Sequence, residues 1–186
     1  MSKKNRVVQS LTGSKVLLLL LGLWIWSGLT VDAFAASAPE PCATSSAGRQ
    51  LDFWLGDWSI TAPGSSGSST SKVYLTLDKC LLVERSDGER GHSGENVFAY
   101  SADDKGWRGM FADNMGRVHV FSEGHVASGV AEFDGTNLGP NGETVLDKVR
   151  VIRIAPNKVA QTWQKSTDNG ATWMTVFRGE YTRANP

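Results

Sequence analysis

Short runs rich in β-branched and aromatic residues recur at roughly ten-residue spacing through residues 50–186, and turn residues separate them. The intervals between runs are shorter than the stretch of about a dozen residues that a parallel crossover needs, so consecutive strands are expected to pair antiparallel. Few windows show helical periodicity, and we expect one short helical turn near residues 50–54. The ten predicted strands are 53–61, 72–77, 80–86, 95–101, 107–112, 117–122, 126–133, 145–154, 158–165 and 172–182.

Residue pairs that tolerate positive φ mark several of the breaks between these runs. Segments 103–106 and 113–116 have the composition of four-residue turns, and segment 63–69 has that of a flexible loop. Turns are therefore predicted at Asp87-Gly88, Asp134-Gly135, Asn141-Gly142 and Asn169-Gly170.

Ten meandering strands in one sheet accumulate twist and leave two edges exposed. Closing the sheet on itself removes both edges. The sequence therefore predicts an all-β fold, a single antiparallel up-and-down β-barrel over residues 50–186. A two-sheet sandwich is the alternative architecture.

The N-terminal segment has the composition of a targeting sequence. A basic start that includes Lys3 and Arg6 precedes an apolar run at 16–26, and small residues follow at 33–38. This order predicts a secretory signal peptide over 1–35, cleaved after Ala35 or Ala38, and a flexible leader over 36–49. An uncleaved anchor is the alternative, but the apolar run is shorter than the ~20 residues that span a bilayer. We expect a periplasmic or extracellular protein with no stable membrane span after cleavage.

Net charge restricts the possible partners of the chain, and cysteine content restricts its chemistry. Removal of residues 1–35 leaves 15 basic and 18 acidic side chains, a net charge near −3. No basic patch of the kind that binds nucleic acid is left, so nucleic acid is not an expected partner. Cys42 and Cys80 form an even pair that predicts a disulfide in an oxidising compartment, with two free thiols as the alternative. Without a Cys-x-x-Cys pair, we expect neither redox catalysis nor a zinc ribbon.

The segment Leu51-Asp52-Phe53-Trp54-Leu55-Gly56-Asp57-Trp58 places two tryptophans around a glycine. Glycine lets a strand bend sharply at a barrel end, and tryptophan can plug the mouth. The segment resembles the Phe-Asp-Phe-Trp-Leu/Ile-Gly-Asp/Glu-Trp motif of a family of exported bacterial proteins of unknown function, and it departs from that motif at Leu51. Further matches to the family lie at 80–84, at 98–107 and at 161–173.

The family resemblance implies a lipocalin-like barrel, calycin-type in the broad sense. Gly56-x-Trp58 is similar to the Gly-x-Trp that opens lipocalin barrels, in which an arginine near the last strand packs on the tryptophan. Arg183 is the matching candidate and Arg178 the second, and the implied contact is a cation–π closure of one barrel end. The resemblance implies no substrate, and whether the protein is an enzyme stays open.

Residues 166–173 fit the Asp-box pattern Ser-x-Asp-x-Gly-x-Thr-Trp. Sialidases and other propellers carry several copies at repeat spacing, whereas this chain has one copy and no repeat period. We therefore interpret the segment as a hairpin turn in which Asp168 accepts hydrogen bonds from turn amides, Gly170 takes positive φ and Trp173 packs below.

The three histidines, His92, His119 and His125, lack zinc-ligand spacing. A haem ligand, as in the distantly similar nitrobindin barrels, is one interpretation. We favour surface or loop histidines, because His92 and His125 both neighbour glycine. The chain also lacks a serine nucleophile elbow, a phosphate-binding glycine loop and a His-Glu-x-x-His motif, so no metal site, cofactor or catalytic residue is assigned.

Period-two alternation gives each strand two faces, one of which mixes aromatic with polar residues. Such a face is typical of a ligand pocket, so we expect a small, partly apolar ligand in the lumen. The competing interpretation is that these residues face outward or form a satisfied polar core. Other candidate functions are an enzyme that uses Glu84 or Tyr100 beside Arg150, and an envelope module that binds another protein. The predicted ligand-binding residues are Glu84, Asn96, Tyr100, Trp107, Arg150, Gln161 and Trp163.

Overall fold

The β-type runs of the sequence become ten strands. The structure is a computed structural model that describes residues 42–64, 67 and 69–184, so the predicted signal peptide and residues 36–41 of the predicted leader lie outside the described residues. The strands are β1 Gly56–Thr61, β2 Ser69–Thr76, β3 Leu81–Asp87, β4 Ser93–Ser101, β5 Gly106–Asp113, β6 Val118–Ala127, β7 Val130–Leu138, β8 Thr144–Ala155, β9 Lys158–Ser166 and β10 Met174–Arg183. Two 3₁₀ turns, Asp52–Trp54 and Glu89–Gly91, complete the elements of the described residues.

The sheet closes because β1 pairs antiparallel with both β2 and β10. At the closing pair, Trp58 lies opposite Arg183 and Ile60 lies opposite Tyr181. Each intervening strand pairs with its sequence neighbours on both sides. The closed barrel confirms the predicted up-and-down fold and excludes the sandwich, because a continuous ladder leaves no separate second sheet.

The segment before β1 covers one end of the barrel with buried side chains. At the closed end, where β1 begins and β10 finishes, Leu51 and Trp54 are buried to 1% exposure or less. The centre of the Trp54 ring lies 6.0 Å from the centre of the Phe98 ring and 6.2 Å from that of the Tyr181 ring. The opposite end, where β1 finishes and β10 begins, is the open end.

A disulfide ties the segment before β1 to the barrel. Cys42 is bonded to Cys80, which lies between β2 and β3 at the closed end. Nearby, the Arg49 guanidinium donates a hydrogen bond to the Lys79 carbonyl oxygen at 2.7 Å. The predicted disulfide is therefore present, and two free thiols are excluded.

The predicted strand 126–133 is in fact the end of β6, a tight turn and the start of β7. Ser128 and Gly129 have φ values of 52° and 78°, as a two-residue hairpin turn requires. The turn predicted at Asp134-Gly135 is wrong, because both residues lie inside β7. Gly135 instead allows the Val120 backbone to approach closely, since a Cβ at position 135 would lie 2.1 Å from the Val120 carbonyl oxygen.

Between the first half of β6 and the second half of β7, a side chain replaces the main-chain ladder. The ladder joins residues 123–127 to residues 130–134. Beyond it, the Asn137 amide accepts a hydrogen bond from the Val120 N–H at 2.8 Å and donates one to the Val120 carbonyl at 3.1 Å. Its nitrogen also donates to Asp147 at 2.9 Å, which connects this part of the wall to a polar network inside the barrel.

Candidate functional site

A cavity of about 480 Å³ lies in the lumen toward the open end. Its size is within the range of roughly 300–1,000 Å³ typical of small-molecule sites. Ile60, Phe111 and Phe177 supply apolar and aromatic walls. Polar side chains of the lining include Glu84, Asn96, Gln161, Tyr181, His119 and Lys165.

Glu84 forms the floor of this cavity, and its side chain is fully buried. One carboxyl oxygen accepts a hydrogen bond from the Ser71 hydroxyl at 2.9 Å, and the other accepts one from the Asn96 amide at 2.8 Å. Burial raises the pKa of Glu84, and hydrogen bonds from Ser71 and Asn96 offset only part of that rise. Because these partners are all neutral, the protonated form of Glu84 is favoured.

Tyr181 extends the floor network toward β9. Its hydroxyl donates a hydrogen bond to Gln161 Oε1 and also contacts Glu84. Burial and the adjacent Glu84 raise the pKa of Tyr181 well above its ordinary value, so the phenol keeps its proton. The floor is therefore a buried hydrogen-bonded network in which burial favours the uncharged form of Glu84.

Asp147 centres a second network in the wall beside the cavity. Its Oδ1 accepts a hydrogen bond from the Trp163 indole at 2.6 Å, and its Oδ2 accepts one from His119 Nδ1 at 3.0 Å. Burial alone would raise the pKa of Asp147, but hydrogen bonds from His119, Trp163 and Asn137 outweigh it and lower the pKa. Asp147 is therefore held as a carboxylate, in contrast to Glu84.

Lys165 lies on the cavity side of this second network. Its Nζ is 3.1 Å from His119 Nε2 and 3.9 Å from Asp147 Oδ1, and it sits 5.1 Å from the centre of the Trp163 ring. Since His119 donates through Nδ1, its Nε2 accepts a hydrogen bond from the Lys165 ammonium. Burial is the main cause that lowers the pKa of Lys165, and Asp147 opposes it.

A third group of polar side chains borders the cavity at the open end. Arg117 donates through Nε to Asp113 at 2.6 Å, and His92 Nε2 lies 3.1 Å from the same carboxylate. Burial opposes the effect, but hydrogen bonds from Arg117, His92 and Met115 hold the pKa of Asp113 far below its usual range. Asp113 thus fixes Arg117 and His92 at the cavity entrance.

At the closed end, the Arg183 guanidinium lies over the Trp58 ring, 4.4 Å from its centre. It also donates a hydrogen bond to the Leu55 carbonyl at 2.9 Å, while the Trp58 indole donates to the Trp54 carbonyl at 2.8 Å. Gly56 has φ of 132°, and a Cβ there would lie 2.1 Å from Arg183 Nη1. These contacts are the barrel closure that the Gly-x-Trp resemblance implied for Gly56, Trp58 and Arg183.

Four of the predicted ligand-binding residues line the cavity: Glu84, Asn96, Gln161 and Trp163. Tyr100 and Trp107 do not line it. They pack edge to face 5.8 Å apart near the closed end, where the Trp107 indole donates to Gln50 at 3.0 Å. Their strand faces were predicted correctly, but alternation along a strand does not tell one end of a barrel from the other.

The prediction that Arg150 faces the lumen is wrong. Its Nε pairs with Glu132 at 2.9 Å on the outer face, where both side chains are about half exposed. The neighbouring Val149 and Val151 face inward and are buried. An enzyme that uses Glu84 or Tyr100 beside Arg150 is therefore excluded, because the arginine lies on the other side of the wall.

Several cavity groups were missed by sequence reasoning, above all His119, which is buried in the lumen rather than in a surface loop. Both of its ring nitrogens are engaged, Nδ1 by Asp147 and Nε2 by Lys165, so this arrangement does not fit a haem ligand. Lys165 could have been found, because it follows Gln161 and Trp163 at period two. Asp147 gave no comparable signal, since it shares its face with valines.

The Asp-box segment is a structural turn. Asp168 accepts hydrogen bonds from the Thr172 N–H at 2.9 Å and from the Thr172 hydroxyl at 2.6 Å, and these contacts lower the pKa of Asp168 to about 2. The Trp173 indole donates to the Gly170 carbonyl at 3.1 Å. The hydrogen bonds are those predicted for a hairpin device.

A solved structure resembles this chain at low sequence identity. No family model and no curated protein matches this chain. The crystal structure of Rv2717c from M. tuberculosis is similar with a TM-score of 0.47 and 14% identity, over 76% of this chain and 99% of that one.

Within residues 42–64, 67 and 69–184, no helix has the length and apolar character to cross a membrane.

Proposed function

We propose that the protein is an exported carrier that binds a small, partly apolar molecule inside the barrel. The observation that supports this function is the cavity of about 480 Å³ with aromatic walls and a neutral polar floor. An unfilled volume forfeits packing contacts, which protein cores normally make. A cavity retained beside the tightly packed closed end is therefore typical of a binding site.

Export is part of this proposal. The basic, apolar and small-residue order of the first 38 residues supports it, as does the Cys42–Cys80 disulfide, because such bonds persist in oxidising compartments. The resemblance to an exported bacterial family points the same way.

A direct test uses N-phenyl-1-naphthylamine, a neutral apolar fluorophore that brightens in apolar surroundings. We expect the protein to bind it and Ser86→Phe to weaken binding at least about tenfold, because Ser86 lines the cavity and the ring would fill it. Ser59→Phe is the matched control, since Ser59 is exposed on the outer face of β1. Absence of binding by the folded protein, or equal binding by Ser86→Phe, would contradict the carrier function.

Native mass spectrometry of protein purified from the cells that make it provides a second test. A retained small molecule, absent from Ser86→Phe, is the expected result. Its mass would also identify the ligand, which the cavity alone does not.

Protein binding is a second candidate function, because an apolar patch lies on the outer wall. Met110 and Val120 are paired on β5 and β6, and Val118 lies two residues away on the same face; all three are exposed. Val120→Lys should abolish capture of a partner without changing fluorophore binding. Loss of the fluorophore instead would assign Val120 to the integrity of the barrel.

A further inference from the structure

The polar groups of the cavity are unevenly distributed along its length. The floor carries the neutral side chains of Asn96 and Gln161 beside Glu84, whose uncharged form is favoured by burial. Two cationic side chains, Lys165 and Arg117, line the cavity nearer the open end. A ligand in this cavity therefore meets neutral partners at the floor and charged side chains, including the cations Lys165 and Arg117, nearer the open end.

Lys165 has hydrogen-bonding capacity to spare. An ammonium group carries three N–H donors. Among the residues that the structure describes, its hydrogen-bond acceptor is His119 Nε2 at 3.1 Å. Asp147 lies behind at 3.9 Å, and its two oxygens already accept hydrogen bonds from Trp163, His119 and Asn137. Donors of Lys165 therefore remain available toward the cavity.

The other charged groups at the entrance are held by protein partners. The Arg117 guanidinium donates to Asp113 and contacts His92 Nε2 at 3.0 Å, so its charge is largely compensated. Glu89, which also lines the cavity, accepts a hydrogen bond from the Gly67 N–H at 2.8 Å. Lys165 makes no direct hydrogen bond to its acidic neighbour Asp147, which is 3.9 Å away and accepts from three other donors. Lys165 is thus the cation best placed to receive one negative charge from a ligand.

The walls around Lys165 suit a flat apolar body. The Trp163 ring packs edge to face on Phe111 at 5.1 Å and on His119 at 4.9 Å. Lys165 lies four residues beyond Gln161 on β9, a separation of about 13 Å along a strand. An elongated aromatic molecule of this length would reach from the neutral floor to the ammonium.

We propose that the carrier selects a small organic monoanion with an aromatic body, and that Lys165 binds its negatively charged group. This inference rests on the proposed carrier function and adds the charge of its ligand. A carboxylate or a sulfonate has the required chemistry, because each accepts charge-assisted hydrogen bonds from an ammonium.

Two fluorophores that differ in one group test the inference. 8-Anilinonaphthalene-1-sulfonate is N-phenyl-1-naphthylamine with an added sulfonate, so the pair isolates the contribution of the charge. We expect the sulfonate to bind about tenfold more tightly than the neutral compound. Lys165→Met should remove this preference and change the affinity for the neutral compound less than twofold.

Lys148→Met is the matched control on the adjacent strand. Lys148 neighbours Asp147 in sequence but lies on the outer face, where its Nζ is 4.6 Å from the Trp173 ring centre. Lys148→Met removes the same charge, and we expect this variant to keep the preference for the sulfonate. In the unmodified protein, raising NaCl from about 20 to 500 mM should weaken sulfonate binding selectively, which tests the charge even if Lys165→Met does not fold.

The outcomes separate the two proposals. Equal affinity for both fluorophores, or an unchanged preference in Lys165→Met, would overturn the anion site and leave the carrier function standing. Failure of the folded protein to bind either compound would overturn both.

Discussion

The closed and open ends of this barrel are built from the same alternating strands but use their inward positions differently. At the closed end, Trp54, Trp58 and Tyr181 fill the lumen with aromatic rings in edge contacts. At the open end, inward positions carry Glu84, Asp147 and other polar groups around a cavity. One end thus contributes packing, and the other contributes polar groups that surround a cavity.

The two buried carboxyls illustrate what surroundings do to the same functional group. Glu84 meets neutral donors, and burial raises its pKa. Asp147 has three hydrogen-bond donors with Lys165 nearby, and its pKa is lowered. Burial disfavours charge in both cases, and the partners decide which carboxyl keeps it.

The sharpest contrast between the ends is expected from two identical substitutions. Trp58→Ala should lower the free energy of unfolding by about 3–5 kcal/mol, because it empties a buried aromatic site. Trp173→Ala, in the partly exposed turn at the open end, should cost only about 1 kcal/mol. Urea-induced unfolding of both variants measures the difference. Equal losses would show that the closed end is not the main source of packing stability.

Asp147→Asn should lower the free energy of unfolding by about 1.5–3 kcal/mol at pH 7, because it removes the charge from a buried hydrogen-bonded network. The folded pKa of Asp147 is below its unfolded value of about 3.9, so this contribution is present above about pH 4 and is lost as pH falls through the folded pKa. Unfolding curves from pH 7 to pH 2 should therefore converge with the wild type in acid. Asp134→Asn, on the outer face, is the control and should change stability by under about 0.5 kcal/mol. A gap that persists in acid would refute this assignment.

Gly56→Ala should destabilise the closed end by about 2 kcal/mol, because it adds a side chain at φ of 132° against Arg183. Gly116→Ala tests positive φ alone, since Gly116 has φ of 78° and open space around it. We expect about 1 kcal/mol for Gly116→Ala in urea unfolding. Similar values for both variants would mean that Arg183 moves aside without loss.

Glu84→Gln is expected to have the smallest effect and the opposite sign. The folded pKa of Glu84 is above its unfolded value of about 4.3, so its stabilising contribution is full below that pH and is lost as pH rises through the folded pKa. Glutamine keeps the shape without the charge, so the variant should be about 1 kcal/mol more stable near pH 8 and equal to the wild type near pH 4. Destabilisation at pH 8 would show that the carboxylate is favoured in the fold.

Much of the fold was predictable because it depends on local patterns. Turn pairs such as Asn141-Gly142 and the short connections predicted an antiparallel meander, and its two exposed edges favoured a closed barrel over a sandwich. The hairpin at Ser128-Gly129 was missed, because Asp134-Gly135 is the stronger turn signal by composition. Gly135 meets the approaching Val120 backbone instead, and that contact exists only after the strands assemble.

The candidate site was predictable in part. Glu84, Asn96, Gln161 and Trp163 were identified because their strands show a clear mixed face. On β8 the same rule chose Arg150, yet Val149 and Val151 face inward and Arg150 pairs with Glu132 outside. A cross-strand partner on the outer wall can satisfy a charged residue as well as a ligand can, and alternation does not distinguish the two.

By itself, the sequence predicted the antiparallel meander and its strand order from spacing and turn residues, and it predicted the disulfide from its two cysteines. The residues of the barrel closure were implied by the resemblance of one short motif. Tertiary structure alone decided which face of β8 points inward, which end of the lumen stays open and which buried carboxyl keeps its charge. These properties depend on groups brought together from distant strands, as when His119, Asp147 and Lys165 meet beside the cavity.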